Sequence, residues 1–300
     1  MAPQVSEQER IQRNNKRDMR AAFFKMLEDM FAKDDRLVLI LGDIGVYTAR
    51  NLFRDYPDRV FNIGICEQAT VSIAAGLAKE GFHPIFYSIA PFAVERCLEQ
   101  IKVDVGYQRL PVTIVSVGAS YDYAALGCTH HCPADVELMT SIPDMQVFIP
   151  GSESDMERFF PDMYGYMPLY MRLSEKGHGL DFKPEHASFD VMKEGSRGLV
   201  VVIGNMLGVV MDACKDIDVE VVYITGLGIK GHIENYGRVA IVEPYYEGTT
   251  ARLWNIDGDV YSIGVPRDFL TEYGTTEEHD NALALSTEHI RVQLKLFFND

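Results

Sequence analysis

Strand-like apolar runs alternate with amphipathic helices along nearly all of the 300 residues, which predicts an α/β protein of two doubly wound domains. Two observations carry this. The strand candidates "RLVLILGDIG", "LPVTIVSVG" and "GLVVVIGNM" are apolar throughout instead of alternating, as strands of a largely parallel sheet covered by helices on both faces must be. The rhythm then breaks once, over residues 176 to about 196, where "KGHGLDFKPEHASFDVMKEGS" is polar with Gly and Pro, and it resumes afterwards.

The elements follow in order. Residues 1–14, "MAPQVSEQERIQRN", are polar and aperiodic and are expected to be a mobile lead. From Asp18 a helix is predicted, because Phe23, Met26, Leu27, Met30 and Phe31 share one face. "RLVLILGDIG" is a buried strand, "ATVSIAAGLAKEG" a helix of small residues, "HPIFYSIA" a strand, "AVERCLEQIKVDVGYQ" a helix and "LPVTIVSVG" a strand. A long loop with Gly, Tyr and His follows, then helix "PADVELMTSI", strand "MQVFIP", helix "SESDMERFFPDMYGY" and strand "PLYMRLS". This first domain is set at 15–180, with a linker at 181–195. The second domain, 196–300, opens with "GLVVVIGNM" and "VEVVYITGL" around helix "LGVVMDACKDI", continues with strand "GRVAIVEPY" and closes with helix "STEHIRVQLKLFF", N-capped by Ser286.

A net charge of −16 argues against a nucleic-acid or anionic-membrane binder, since phosphate neutralisation needs clustered Lys and Arg. No apolar run reaches the ~18 residues of a membrane span and no secretory leader pattern is present, so the cytoplasm is the expected compartment. The five cysteines, an odd number scattered through apolar pattern, suit reduced thiols.

Chemistry is expected where open α/β sheets bind ligands, at the carboxyl ends of strands. Three stretches stand there: "LGDIG" with Asp43, "ICEQ" with Glu67, and "ALGCTHHCP" with His130 and His131. "CTHHC" is a poor metal site, because adjacent ligands cannot all reach one tetrahedral ion, and no metal ligand is assigned. Glu67 poses the sharper question. It immediately precedes a run expected to pack as a buried helix, where an unpaired carboxylate is costly, so it needs a partner or a helix end. A glutamate satisfied by the helix N-terminus is one answer.

"RVFNIGICEQATVSIAAGLAKEGFHPI", "GCTHHCPADVELMTSIPDMQVFIPGSESD", "VAIVEPYYEGT" and "STEHI" together resemble the C-terminal half of transketolases, in order and spacing from Asp18 to the end. That half comprises the pyrimidine-binding and C-terminal domains of thiamine diphosphate enzymes. The resemblance implies that Glu67 hydrogen-bonds the cofactor's aminopyrimidine, so that its missing partner is the cofactor ring and Cys66 beside it is packing. It implies that Phe92 stacks on that ring, with Ile89 an aliphatic wall where the family has an aromatic. His130 matches the histidine of the family's Gly-Pro-Thr-His motif, with Cys128 in place of the proline, and His131 is read as a loop residue bonded to backbone. Asp43 matches an aspartate near the cofactor at the subunit interface, or caps the following turn.

Departures concern the sugar end. Glu175 stands where the family has a phosphate-binding arginine, Gly118 where it has a histidine and Tyr47 where it has a serine, and only Arg20 matches. Arginine to glutamate reverses the charge that would meet a phosphate, so an unphosphorylated, amino or nucleotide-linked sugar is expected. The Gly-Asp-Gly motif that holds Mg²⁺ and the diphosphate in this family is missing, which implies a separate N-terminal, diphosphate-binding subunit and an α₂β₂ assembly. The leading expectation is therefore the β-type subunit of a split transketolase moving a two-carbon unit between sugars, inactive alone. The alternatives are the β subunit of a 2-oxoacid dehydrogenase or decarboxylating carboligase, and a non-catalytic partner that kept the fold.

Overall fold

The computed structural model describes residues 18–186, 189–227, 233, 236–254, 256 and 258–299; the lead expected over 1–14 lies outside the described residues. Helix α1 (Met19–Phe31) begins where Asp18 accepts from the backbone N–H groups of Arg20 and Ala21, and it buries the predicted Phe23, Leu27 and Phe31. Next come β1 (Leu37–Leu41), α2 (Arg50–Asp55), β2 (Val60–Asn62), α3 (Glu67–Lys79) and β3 (His83–Ile89). After β3 lie the short turns α4 (Ala90–Ala93) and α5 (Leu98–Gln100), then β4 (Thr113–Val117), α6 (Asp135–Thr140), β5 (Gln146–Phe148), α7 (Glu153–Met163) and β6 (Leu169–Arg172).

These strands form one all-parallel sheet in the order β2-β1-β3-β4-β6-β5. Leu37, Leu39, Leu41, Ile85 and Tyr87 pack under α1, while Val38, Ile40 and Phe86 face α3 on the other side. Both faces are thus buried, as the uninterrupted apolar runs require. The chain leaves β1 towards β2 and returns to β3 on the opposite side of β1, so the crevice between the carboxyl ends of β1 and β3 is the switch point where such sheets bind ligands.

The second sheet has the order β11-β10-β8-β9-β7, built from β7 (Asp190–Lys193), β8 (Leu199–Ile203), β9 (Glu220–Ile224), β10 (Arg238–Tyr246) and β11 (Asp259–Val265). Helices α8 (Leu207–Ala213), α9 (Thr249–Leu253), α10 (Thr276–Ala282) and α11 (Thr287–Phe298) complete it. Strand β7 runs antiparallel to β9 and falls within the segment expected as linker. Ser286 stands at the N-cap of α11, but its hydroxyl pairs with His289 Nδ1 at 2.8 Å and makes no capping bond.

The two sheets share one apolar cluster, and Ile149 N–H donates to Thr225 O at 2.6 Å across the junction. A second tie is polar and buried. Arg172 Nε donates to Asp135 Oδ2 at 2.8 Å and its Nη2 to Ser120 Oγ at 2.6 Å and to Pro244 O at 3.1 Å, while the Ser120 hydroxyl itself donates to Pro244 O. Among the described helices none is long and apolar enough to cross a membrane.

Candidate active site

Glu67 is the first residue of α3 and only 2% exposed. It lies beside the β1 end: a Cβ on Gly42 would stand 4.0 Å from Glu67 Cγ. Glu67 has a partner within the protein besides the cofactor ring expected for it, because Arg96 Nη1 donates to Glu67 Oε1 at 2.8 Å. The same guanidinium lies 4.2 Å over the centre of the Phe92 ring. Cys66, expected as packing, is exposed.

The helix predicted from Ala93 to Gln108 is broken around Arg96. α4 carries Pro91 in its first turn and ends at Val94 (φ −113°, ψ −70°), Glu95–Cys97 form a 3₁₀ turn, Cys97 (φ −121°, ψ 21°) leaves helical geometry and Ile101–Gly106 form a π-helical turn. Carbonyls freed by the break are satisfied locally, since Cys97 Sγ–H lies 3.2 Å from Phe92 O and 3.1 Å from Ala93 O. Irregular turns of this kind cluster at functional sites. The one sequence signal for Arg96 is its spacing of four from Phe92, which puts the two on one face of a helical turn.

Phe92 meets His130 edge-on, with ring centres 5.4 Å apart. His130 belongs to a 3₁₀ turn entered through Gly127 at φ +76°, and its Nδ1 pairs with Thr129 Oγ1 at 3.0 Å. Its other neighbour is the Tyr123 ring at 6.5 Å. Tyr123 takes the space beside Gly118: at φ +66°, a Cβ on Gly118 would stand 2.0 Å from Tyr123 Cε2. Burial pushes the Tyr123 hydroxyl above its ordinary range.

Beyond Tyr123 stands Arg20, whose Nη1 donates to Tyr123 Oη and whose Nη2 pairs with Glu175 Oε1, each at 3.4 Å. Asp18 Oδ1 is 3.5 Å from Arg20 Nε. Burial disfavours the Arg20 charge, but Tyr123, Asp18 and Glu175 outweigh it and hold its pKa above the ordinary value. Contacts therefore join Glu67, Arg96, Phe92, His130, Tyr123, Arg20 and Glu175 in one continuous group. Tyr123 and Arg96 were not among the residues singled out from sequence.

Other candidates lie elsewhere. His131, expected to bond backbone and offered as a substrate contact, is 8% exposed with no hydrogen-bond partner on either ring nitrogen among the described residues. It packs 5.7 Å from the His279 ring of the second domain, and burial, with His279 and His130 nearby, holds its pKa below the usual histidine value. Among the described residues the ring is therefore not bonded to backbone, contrary to expectation. Tyr47 is 80% exposed under the Arg50 guanidinium. Ile89 ends β3 in the core behind Phe92. Asp43, at φ +64°, caps no turn with its side chain; its Oδ1 accepts from Asn62 Nδ2 at 3.1 Å while its N–H donates to Asn62 Oδ1 at 2.9 Å.

Whether these residues suit an aminopyrimidine ring can be judged from Arg96. It is itself a flat group bearing N–H donors; one donor satisfies the buried Glu67 carboxylate while its plane covers the Phe92 face. A side chain 38% exposed can swing into solvent, and what it vacates is an acceptor and an aromatic platform. The pair fits a planar ring with polar nitrogens.

Residues 15–177 match the family of the transketolase pyrimidine binding domain. An uncharacterized 33.6 kDa protein in the fasciation locus of Rhodococcoides fascians is 32% identical over 298 residues, covering 94% of this chain and 96% of that one. One subunit of the apulose-4-phosphate transketolase of Actinobacillus succinogenes is 32% identical over 184 residues, 58% of this chain and 59% of its own length. Among solved structures, a split-gene transketolase determined as an inactive β4 tetramer shares the fold with a TM-score of 0.80 at 23% identity, covering 93% of this chain and 98% of that one.

Proposed function

The chain belongs to the transketolase family, and from that membership we propose that it is the β-type, C-terminal-half subunit of a split thiamine diphosphate-dependent enzyme that moves a two-carbon ketol unit between sugars. The observation that carries this reading is the buried Glu67 carboxylate at the β1/β3 switch point, with the Phe92 face and His130 beside it. Thiamine diphosphate, when bound, supplies the nucleophilic carbon that carries the two-carbon unit.

This chain's residues prepare for it. Glu67 offers a desolvated acceptor to a ring nitrogen and can share a proton there; Phe92 offers the stacking face. His130, with one ring nitrogen held by Thr129, presents the other to a developing oxyanion. The diphosphate and Mg²⁺ are assigned to an N-terminal partner subunit, since this sequence has no Gly-Asp-Gly, and an α₂β₂ assembly follows from sites shared between subunits. The five free cysteines accord with a reducing, cytoplasmic compartment.

The sugar is not a pentose phosphate on this reading. Arg20, the cation nearest Tyr123, is flanked by Asp18 and Glu175, and the space beside Gly118 is filled by Tyr123. The test is reconstitution with the partner subunit: Glu67→Gln should lower ketol transfer at least ~100-fold. Turnover equal to wild type would sink the assignment, and consumption of a 2-oxoacid in place of a ketose would move the chain to the dehydrogenase or carboligase class.

A further inference from the structure

The candidate site adjoins a cavity of 460 Å³ between the two domains. Its wall carries five carboxylates, Asp122 and Glu175 from the first domain and Asp212, Glu277 and Asp280 from the second. Glu175 pairs with Arg20 and Asp212 with Lys215 at 2.7 Å, while Asp122, Glu277 and Asp280 form no ion pair among the described residues; two cations share the wall. Lys176 is exposed, and Arg172 spends its charge on the buried Asp135 at 2.8 Å. Arg172 nevertheless keeps something to offer, because it is 1% exposed and its Nη1 has no hydrogen-bond partner among the described residues. Such a buried donor is unfavourable until an acceptor arrives.

Glu175 belongs to both places. Its carboxylate lines the cavity, pairs with Arg20, and through Arg20 and Tyr123 is linked to His130. Its backbone N–H donates to Asp122 Oδ2 at 2.7 Å, which fixes the two acidic residues side by side. A ligand with a phosphate dianion would meet like charge here, whereas an ammonium would meet opposite charge on several sides. Among the described residues no three potential metal ligands converge, so the wall suits an organic cation better than a metal ion.

We propose that this cavity receives the end of the sugar substrate remote from its carbonyl, and that this end carries an amino group where common ketol-transfer substrates carry phosphate. The inference rests on the transferase reading above. Carboxylates bind the ammonium, with Glu175 the principal one, and a sugar hydroxyl oxygen supplies the acceptor that Arg172 Nη1 lacks.

The test uses the reconstituted complex with hydroxypyruvate as two-carbon donor and three acceptors on one carbon frame: ribose, ribose 5-phosphate and 5-amino-5-deoxyribose. The expected order of kcat/KM is amine, then neutral, then phosphate, with about tenfold or more between the first and last, carried mainly in KM. Glu175→Gln should flatten the amine preference and Glu175→Arg should reverse it. Preference for ribose 5-phosphate by the wild type, or an order untouched by Glu175→Arg, overturns the proposal while leaving ketol transfer standing. Calorimetric binding of the same three sugars reads the cavity independently of turnover. Amine-selective binding without any transfer would uphold the cavity's chemistry and remove the transferase reading; equal binding of all three would remove the proposal.

Discussion

Truncating Arg96 to Ala takes away the one hydrogen-bond partner of Glu67 among the described residues. Glu67 is 2% exposed, so its carboxylate would be left buried and unpaired. Breaking a fully buried pair costs about 3–5 kcal/mol, but Arg96 is 38% exposed, so water already screens it and about 2 kcal/mol is the reasonable share. The contact over Phe92 adds about 0.5–1 kcal/mol. At about 2–4 °C per kcal/mol for a chain of this size, Arg96→Ala should lower the Tm by about 5–10 °C. Glu67→Gln combined with Arg96→Ala should recover most of that loss, since an amide is far cheaper to bury than a carboxylate. Calorimetric Tm values of the purified wild type, both single variants and the double complete a thermodynamic cycle, with an expected coupling of about 1–3 kcal/mol. If the two single shifts simply add in the double variant, Arg96 does not satisfy Glu67 and the account of the carboxylate is wrong.

Two further outcomes test other parts of the structure. Gly118→Ala places a Cβ 2.0 Å from Tyr123 Cε2 at φ +66°, and should cost about 2–4 kcal/mol by chemical denaturation, part of it regained when Tyr123→Ala is added. No loss would mean that Tyr123 does not occupy the space beside Gly118. Glu243 is buried in β10, its Oε2 accepting from Thr250 N–H at 2.9 Å and its Oε1 without a partner among the described residues, and burial pushes its pKa up to about 7. A carboxyl with a raised folded pKa holds its proton more tightly when folded, so its contribution is fully present below the ordinary value of 4.5 and is lost as pH rises through about 7. Glu243→Gln, which cannot ionise, should therefore gain in Tm relative to wild type between pH 5 and pH 8; a difference independent of pH would contradict the buried, protonatable carboxyl.

Legibility in the sequence tracked how far each feature depends on local pattern. β1, β4 and β8 are runs such as "LVLIL" whose composition alone demands burial on two faces, and the apolar face of α1 recurs with helical period. Three strands did not announce themselves. β2 is only three residues long, β7 hides in a polar segment, and β11, "DVYSIGV", mixes Gly and polar residues with its apolar ones. Each is an outer or flanking strand whose pairing is set by a neighbour already in place.

Glu67 and His130 sit where a strand or loop signal could be read, whereas Phe92 was named through the family resemblance alone. Arg96 could not be read that way. Its spacing of four from Phe92 allows the ring contact in any helical turn, but its pairing with Glu67, 29 positions earlier, depends on how this segment packs against α3. His131 follows His130 directly in the chain, yet a turn sends it into the contact with His279, 148 positions away. Composition and period suffice for the α/β layering and for a carboxylate at a strand end, whereas the reversed charge at Glu175 is read from the family resemblance. Tertiary structure alone decided which cation meets Glu67, which ring fills the space beside Gly118, and that Arg20 faces Glu175. Glu67 with Arg96 and Arg20 with Glu175 join residues 29 and 155 positions apart, which the crossing order of the parallel strands brings together, and the Tyr123 ring meets Gly118 through the local turn after β4.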